Sequence, residues 1–362
     1  MGAATDEAAV RDLIAPTDGR PPADVLTFEH EHVPNDLRRP HRARHPVRPA
    51  PHALVQAQDK IVMRRRLTEL GAPCRAGRPS RSTPSRARVL AAFLAEVGGQ
   101  AVVKTSRGGY DGKGVRVVSS ADEAADWLAA AAAGGPQLLV EEKVPFTREL
   151  AVLVARRPSG EVRTWPVVES IQRDGVCSEV IAPAPDLTDA EAEEARAAAV
   201  AIAEGLDVTG VLAVEMFEVL DASGDGRPVR HVLVNELAMR PHNSGHWTID
   251  GSVTSQFEQH LRAVLDLPSG TRRSPRRGPS WPTCSARPSP SSPTRCRPSW
   301  CLPGRPGQPV RQDVRPGRKL AHVNVSGNDL GRSAVGRWGC CDPARRDTPR
   351  DPHPRDEGLR HD

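Results

Sequence analysis

Short apolar runs alternate with amphipathic stretches over most of residues 1–270. Apolar runs bounded by turn residues predict strands, and apolar positions at helical spacing predict helices. The predicted strands cover residues 23–28, 101–105, 115–118, 137–142, 150–155, 164–168, 208–219 and 231–237. The predicted helices cover 59–71, 89–97, 122–133, 188–204 and 255–265. Asp59 is the expected cap of the first, and Thr188 with Glu191 forms an expected capping box for the fourth. The alternation predicts an α+β or α/β fold.

The pattern changes abruptly after residue 270. Residues 271–312 hold ten prolines, and Leu302 and Val310 are their only members of the set Ile, Leu, Val, Met and Phe. Because such a segment buries too little apolar surface to offset its ordering entropy, we predict disorder over 269–312. Alternation returns at 321–325, within a predicted ordered fragment at 313–332, and a disordered tail is expected over 333–362.

The abruptness of these changes suggests a cause in the coding sequence. The chain uses 45 Arg against 5 Lys, which is typical of GC-rich coding, and such DNA translated out of frame gives Arg, Pro, Ser and Cys. Our hypothesis is that residues 271–311 and 333–362 are frameshift products. Resequencing the coding DNA tests it.

The balance of charged residues also changes after residue 270. Residues 271–362 hold 19 Lys and Arg against 8 Asp and Glu, whereas the rest of the chain holds 31 against 37. The formal net charge of +5 therefore comes from the tail. A nucleic-acid partner is not expected, because the tail lacks interleaved aromatic residues and a binding fold.

The chain contains no run of ~18 apolar residues, so the sequence predicts no membrane span. No secretory signal is visible either. The seven cysteines have neither zinc spacing nor the density of a disulfide scaffold. Together these features predict a cytoplasmic protein without a membrane partner.

A glycine-rich turn follows the strand that ends near Lys104. It contains Gly108, Gly109, Gly112 and Gly114, with Lys113 among them. Glycines let backbone N–H groups approach a phosphate closely, and the lysines supply positive charge. The alternative is a plain glycine-rich hairpin.

Two acids lie inside apolar strands. Glu215 and Glu236 are each surrounded by apolar residues, where an ionised group is costly unless it is paired or metal-bound. A turn that joins the two strands can place both carboxylates and Asn235 around Mg²⁺, which prefers oxygen ligands. The alternative is two acids that face outward from edge strands.

Two further segments carry polar side chains beside strands. Residues 240–247 begin Arg-Pro-His and are typical of an anion or substrate loop, although an ordinary surface loop remains the alternative. Residues 141–144 with Glu149 can contact an adenine edge and ribose hydroxyls. Here the alternative is a solvated strand end.

The motifs occur in a recognisable order. They read ADVLTFEHEHVP, VVKTSRGGYDGKG, LLVEEKVPFTRE, LAVEMFEV, VNELAMRPHNSGHW and DVRPGRKLAHVNV. In this order the chain resembles the 5-(carboxyamino)imidazole ribonucleotide synthases, ATP-dependent carbon–nitrogen ligases of purine biosynthesis in the ATP-grasp superfamily. The resemblance covers 23–268 and 313–330.

The resemblance implies an ATP-grasp fold, in which two α+β subdomains sandwich ATP. The resemblance assigns residues 59–268 to that domain. Residues 1–58 match the remnant of an N-terminal nucleotide-like βαβ domain, which is expected to be incomplete. Residues 313–332 match a fragment of a small C-terminal β subdomain, which the segment before it is expected to disrupt.

The resemblance also implies roles for individual residues. The positions that match ATP contacts are Lys60, Lys104, Gly108, Gly109, Gly112, Lys113, Gly114, Glu141, Glu142, Lys143, Val144, Glu149, Asn235 and Glu236. The positions that match Mg²⁺ ligands are Glu215, Glu236 and Asn235. Catalytic positions are Arg240, His242, Tyr110 and Asp111, and substrate contacts are Glu29, Asn243, Ser244, Arg315, Arg318 and Lys319.

The implied reaction joins bicarbonate to aminoimidazole ribonucleotide at the expense of ATP, through carboxyphosphate. Mg²⁺ is the implied metal and a homodimer the implied assembly. The alternative is an inactive or ATP-binding-only remnant of such an enzyme.

Overall fold

The computed structural model describes residues 23–33, 46–80, 86–109, 114–173, 175–222, 228–271, 283–286, 308–309 and 321–326. Its helices are α1 (Pro51–Gln58), α2 (Lys60–Glu69), α3 (Arg86–Glu96), α4 (Ala125–Ala132), α5 (Asp189–Gly205), α6 (Thr248–Gly251) and α7 (Gln256–Val264). Its strands are β1 (Gly77–Ser80), β2 (Ala101–Thr105), β3 (Val115–Val118), β4 (Leu138–Glu142), β5 (Phe146–Arg156), β6 (Val162–Thr164), β7 (Val168–Arg173), β8 (Val176–Ala182), β9 (Gly210–Ala222), β10 (Pro228–Ala238), β11 (Thr283–Ala286), β12 (Gln308–Pro309) and β13 (Ala321–Ser326).

The smaller of two antiparallel sheets has the strand order β1-β4-β2-β3 among the described residues. Its strands β2 and β4 are almost wholly buried. They share a core with apolar side chains of α3 and α4, including Leu90, Phe93 and Leu128. This unit carries Lys104 and Glu141 on adjacent central strands.

The larger sheet has the order β10-β9-β5-β7-β8-β11-β13-β12 over the described residues, and β6 pairs with β5. The long strands β5 and β9 run antiparallel from Phe146 opposite Val219 to Arg156 opposite Gly210. One face packs against α1, α2 and α5 through residues such as Leu54, Leu67 and Ile202. This sheet carries Glu149, Glu215 and Glu236.

Helix ends follow the local sequence signals. The side chain of Asp59 accepts hydrogen bonds from the N–H groups of Ile61 and Val62, as expected of an N-cap. Thr188 and Glu191 form the predicted capping box at the start of α5. Both predictions are confirmed. Capping could be predicted because it depends on residues only two or three positions apart.

Three sequence predictions of elements are wrong. Residues 23–28 form no strand, and Leu26 makes a single bridge to Val47. Residues 164–168 do not form one strand, because β6 ends at Thr164 and β7 begins at Val168. Residues 283–286, expected to be disordered, form β11 between β8 and β13. Strand pairing uses backbone groups, so it does not require the apolar side chains that this segment lacks.

Some predictions lie outside the described residues. They concern Tyr110, Asp111, Gly112, Lys113, Arg315, Arg318 and Lys319. None of the helices that the structure describes is long and apolar enough to cross a bilayer.

Candidate functional site

Three cations surround one buried carboxylate at the end of β4. The side chain of Glu141 is fully buried. Its Oε1 accepts a hydrogen bond from Arg64 Nε at 2.7 Å. Lys104 Nζ lies 2.9 Å from Oε2, and Arg75 Nε lies 3.6 Å from the same oxygen. The strand end is therefore not solvated, and the cluster joins α2, the 70–76 connection and the smaller sheet.

These charges shift one another's pKa values. Burial acts to raise the pKa of Glu141, but Lys104, Arg75 and Arg64 outweigh it and lower the pKa to about 2. Burial lowers the pKa of Lys104 and of Arg75, while Glu141 opposes that shift. Glu141 is thus an ionised partner that holds the cations in place. Because its carboxylate is enclosed by them, the geometry does not support a contact from that carboxylate to ribose.

Asn235 connects this cluster to the larger sheet. Its Oδ1 accepts hydrogen bonds from Arg75 Nη2 and from Lys104 Nζ, the latter at 3.3 Å. Arg64 donates to the carbonyls of Val234 and Asn235 at 2.9 and 3.0 Å. Since a metal requires the amide oxygen, and cations occupy that oxygen, this arrangement does not support Asn235 as a Mg²⁺ ligand.

The two predicted strand acids face each other. Glu215 and Glu236 are register partners on β9 and β10, next to an irregularity in the pairing. Lys60 forms an ion pair with Glu236, and His242 Nε2 lies 2.9 Å from Glu215 Oε1. Their side chains are 25% and 39% exposed, so both carboxylates are open to a ligand.

The pKa of Glu149 is raised to about 7, mainly by burial and also by the nearby charge of Glu215, against the opposing effects of Arg75 and Lys104. Glu149 lies on β5, beside the strand that carries Glu215. This part of the larger sheet therefore accumulates negative charge at a cost, which a cation relieves.

Among the described residues, no three His, Cys, Asp or Glu side chains form a group that could hold a metal by themselves. The opposed carboxylates still suit Mg²⁺, because that ion keeps several waters and is bound by one or two carboxylates together with substrate phosphates. The donor set thus fits a magnesium ion that arrives with a polyphosphate.

An apolar cluster lies beside the cations. Val144 packs with Phe217 and Val219. The rings of Phe217 and Phe146 are stacked, with their centroids 4.4 Å apart. The Arg75 guanidinium covers Phe217 at 4.7 Å from the ring centroid. Sequence reasoning found Val144 but missed both aromatic residues. Phe146 could have been found by its position two residues after Val144, whereas Phe217 is distant in the sequence and only the fold brings it there.

The remaining residues of that segment point elsewhere. Lys143 is exposed, and its Nζ donates to Gln100 Oε1 at 2.9 Å. Glu142 is half-buried, and its backbone N–H donates to the carbonyl of Ala76. A nucleotide contact from these two residues would come from the backbone rather than from the Lys143 ammonium group.

The base of the glycine-rich turn is firmly built. Gly108 and Gly114 have φ values of 79° and 70°, a region that favours glycine. A Cβ at Gly114 would lie 2.5 Å from Thr105 Oγ1. Gly109 is half-buried, and the Ser106 carbonyl accepts from the Lys60 N–H. The turn therefore starts beside the N-terminus of α2 and is held to it.

The loop after β10 is held by buried hydrogen bonds to Ser244 and Gln256. His242 Nδ1 lies 2.9 Å from Ser244 Oγ, and the backbone of His242 exchanges two hydrogen bonds with the Gln256 side chain. Ser244 is fully buried, so the geometry assigns it to orienting His242 rather than to touching a substrate. Asn243 beside it is half-buried and thus accessible.

Arg240 completes this loop, and Arg240 Nε donates to Glu31 Oε2 at 3.0 Å. The sequence prediction chose Glu29, which is exposed, whereas Glu31 makes the contact with the loop. Adjacent acids in an irregular segment carry no periodic signal that distinguishes them, so only the fold could make this choice.

Comparison with known proteins identifies the arrangement. Residues 81–257 match the family model described as an ATP-grasp domain. A curated relative from Mycobacterium bovis, N5-carboxyaminoimidazole ribonucleotide synthase, is 46% identical over 91% of this chain and 74% of its own length. The protein of the same name from Corynebacterium ammoniagenes is 45% identical over 88% of this chain and 75% of its own length.

The chain belongs to the N5-carboxyaminoimidazole ribonucleotide synthase family.

Solved structures agree with this assignment. The synthetase of this family from Thermus thermophilus is 34% identical, with a TM-score of 0.76 over 92% of this chain and 84% of that chain. The Aspergillus clavatus enzyme, solved with ADP and 5-aminoimidazole ribonucleotide, is 28% identical, with a TM-score of 0.76 over 94% and 85%. The resemblance found in the motifs and the ATP-grasp fold it implied are both confirmed.

Proposed function

We propose that the chain carries out the reaction of its family, the ATP-dependent carboxylation of 5-aminoimidazole ribonucleotide by bicarbonate in purine biosynthesis. One observation carries the proposal: a rigid cation cluster and an opposed carboxylate pair flank one apolar, aromatic cluster. A nucleotide triphosphate with its magnesium ion matches these three surfaces. The relatives' names and the structure with ADP and 5-aminoimidazole ribonucleotide support the same substrates.

In this proposal the adenine lies against Val144 and Phe217, and the phosphates extend toward Lys104 and the glycine-rich turn. Glu141 has already fixed the Lys104 ammonium group, so little reorganisation accompanies binding. The ribose lies toward Glu149. Positioning and charge neutralisation dominate phosphoryl transfer, and a fixed cation supplies both.

Glu215 and Glu236 are the residues that would hold Mg²⁺. A bound magnesium ion neutralises charge on the phosphate oxygens during transfer. Lys60 pairs with Glu236 and His242 with Glu215, so each carboxylate has a partner that restrains its side chain.

Bicarbonate attacks the γ-phosphorus of ATP and releases ADP, which gives carboxyphosphate. Carboxyphosphate then breaks down to phosphate and CO₂, and the substrate's amine captures the CO₂ with loss of a proton. We assign Arg240 and His242 to bicarbonate, and Tyr110 and Asp111 to the amine. Asn243, Arg315, Arg318 and Lys319 are assigned to the nucleotide substrate, whose 5′-phosphate suits guanidinium groups. Because carboxyphosphate is labile, the site must also exclude water.

We also propose a cytoplasmic homodimer without nucleic-acid or membrane partners. Family resemblance supports this assembly, and sedimentation equilibrium of the purified chain tests it. A monomer at micromolar concentration would contradict it.

ATP hydrolysis measured with and without 5-aminoimidazole ribonucleotide and bicarbonate tests the reaction. Strong stimulation by the two substrates together is expected. ATP binding without stimulation would contradict the synthase proposal and leave an ATP-binding remnant.

A further inference from the structure

Among the described cations of the site, Arg75 is the least compensated. Arg64 and Lys104 each have an oxygen of Glu141 within 2.9 Å, and Lys60 has one of Glu236. Arg75 Nε lies 3.6 Å from Glu141 Oε2, an atom that Lys104 already contacts. Within the described part of the chain, Arg75 Nε has no hydrogen-bond partner, although the side chain is only 3% exposed.

A buried guanidinium with an unmet donor is costly. Taking a cation out of water is offset only when geometry and hydrogen bonds are good. An unpaired buried donor adds a further penalty. Among the described residues, Arg75 therefore lacks the close carboxylate contact that the other three cations have, and an anion or a strong acceptor at Nε would supply it.

The position of Arg75 shows which part of a ligand it can meet. Its guanidinium covers the ring of Phe217, whose neighbours include Val144 of the proposed adenine surface. Its Nη2 donates to Asn235 Oδ1, an atom that Lys104 also contacts. Arg75 thus lies between the apolar cluster and the phosphate-binding lysine.

We propose that Arg75 is a nucleotide-binding residue that donates to the phosphate group nearest the ribose. This inference rests on the proposed ATP site and adds to it a cation that no sequence motif supplied. A planar guanidinium can keep its contacts with Phe217 and Asn235 while its Nε–H donates a hydrogen bond to a phosphate oxygen. The nucleotide then completes a partly satisfied buried network.

Binding measurements on Arg75→Met and Arg75→Lys test this assignment. Adenosine, AMP, ADP and ATP are titrated into wild type and variants by calorimetry, with ATP competition for the weak ligands. Arg75→Met is expected to weaken AMP, ADP and ATP by about 10–100-fold, the value of a charge-assisted hydrogen bond, and to leave adenosine unchanged. Arg75→Lys keeps the positive charge but not the planar set of guanidinium donors, and it is expected to lose less affinity for AMP, ADP and ATP than Arg75→Met.

Stability without ligand separates binding from a structural role. Because Arg75→Met removes a buried charge with an unmet donor, the apo protein is expected to unfold at the same or a higher temperature, while the ADP-induced shift shrinks. Arg163→Met is the matched control: it removes a guanidinium from β6, at the far end of β5, where the side chain is 44% exposed. All its nucleotide affinities should equal those of wild type.

Several results would overturn the assignment. Unchanged ADP affinity in Arg75→Met is one, and an equal loss for adenosine and ADP is another. A lowered apo unfolding temperature with intact affinity would make Arg75 a structural clamp. A wild-type chain that binds ATP but shows no substrate-stimulated turnover overturns only the proposed function, whereas one that binds no nucleotide overturns both.

Discussion

Glu141 and Glu149 lie on neighbouring segments of the chain and have opposite electrostatic surroundings. Glu141, on the smaller sheet, is enclosed by three cations that lower its pKa to about 2. Glu149, on the larger sheet, has a pKa raised to about 7 by burial and by the charge of Glu215. At neutral pH the same residue type is therefore fully ionised in one unit and about half protonated in the other.

This difference shows how the two units divide the work. The surroundings of Glu141 hold three cations against one carboxylate, a surplus of positive charge that suits a phosphate. The surroundings of Glu149 hold surplus carboxylates, which makes a site that gains from a divalent cation. Because the two charge patterns lie next to each other and Asn235 connects them, magnesium nucleotide should bind best where they meet.

The largest expected effect comes from removing an acid on the larger sheet. Glu236→Gln should lower substrate-stimulated ATP turnover by about 10²-fold or more, because loss of one fixed electrostatic contact at a reacting centre costs that much. Steady-state assays over a magnesium titration measure it. Glu194→Gln, an exposed acid on α5, serves as the control. Near-normal turnover in Glu236→Gln would refute the metal assignment.

The next effect concerns the cation cluster. Glu141→Gln leaves three buried cations without their carboxylate, so the free energy of unfolding should fall by about 3–5 kcal/mol. Urea denaturation measures the change. Glu142→Gln, the half-buried neighbour, should change it by only about 0.5 kcal/mol. Equal effects at the two positions would show that the cluster is not the support described here.

The third effect is a pH dependence that distinguishes the two glutamates. The unfolded chain releases the Glu149 proton near pH 4.5 and the folded chain near pH 7. The folded state holds more protons in this window, so stability falls as pH rises from 4.5 to 7. For Glu141 the sign is opposite, and stability is lost as pH falls from 4.5 toward 2.

Glu149→Gln should therefore flatten the decline above pH 4.5 and leave the acid limb unchanged. Denaturation midpoints measured without magnesium between pH 4.5 and 8 test this. A variant that follows the wild-type profile throughout the window would contradict the raised pKa.

Sequence patterns predicted the parts of the fold that depend on neighbours in the chain. The Asp59 cap, the Thr188 capping box and strands such as β2 and β4 follow from residues close together, and the structure contains them. Motif resemblance also gave the family. The opposed placement of Glu215 and Glu236 was expected from two apolar strands joined by a turn.

The rest depends on contacts between distant residues. Glu141 is buried because Arg64, Arg75 and Lys104 converge on it from three separate segments, and no local pattern encodes that convergence. Arg75 lies in a connection without periodicity, so only the fold brings it beside Phe217. β11 was not predicted because it contains no apolar run, and its pairing with β8 uses backbone groups that any residue has.

The most direct test follows oxygen from bicarbonate. Turnover with ¹⁸O-labelled bicarbonate, ATP and 5-aminoimidazole ribonucleotide should give inorganic phosphate that carries one labelled oxygen, because a bicarbonate oxygen attacks the γ-phosphorus and stays with the phosphate when CO₂ leaves. Mass spectrometry of the phosphate measures this transfer. Unlabelled phosphate under the same conditions would mean that water attacks ATP, and would contradict the account.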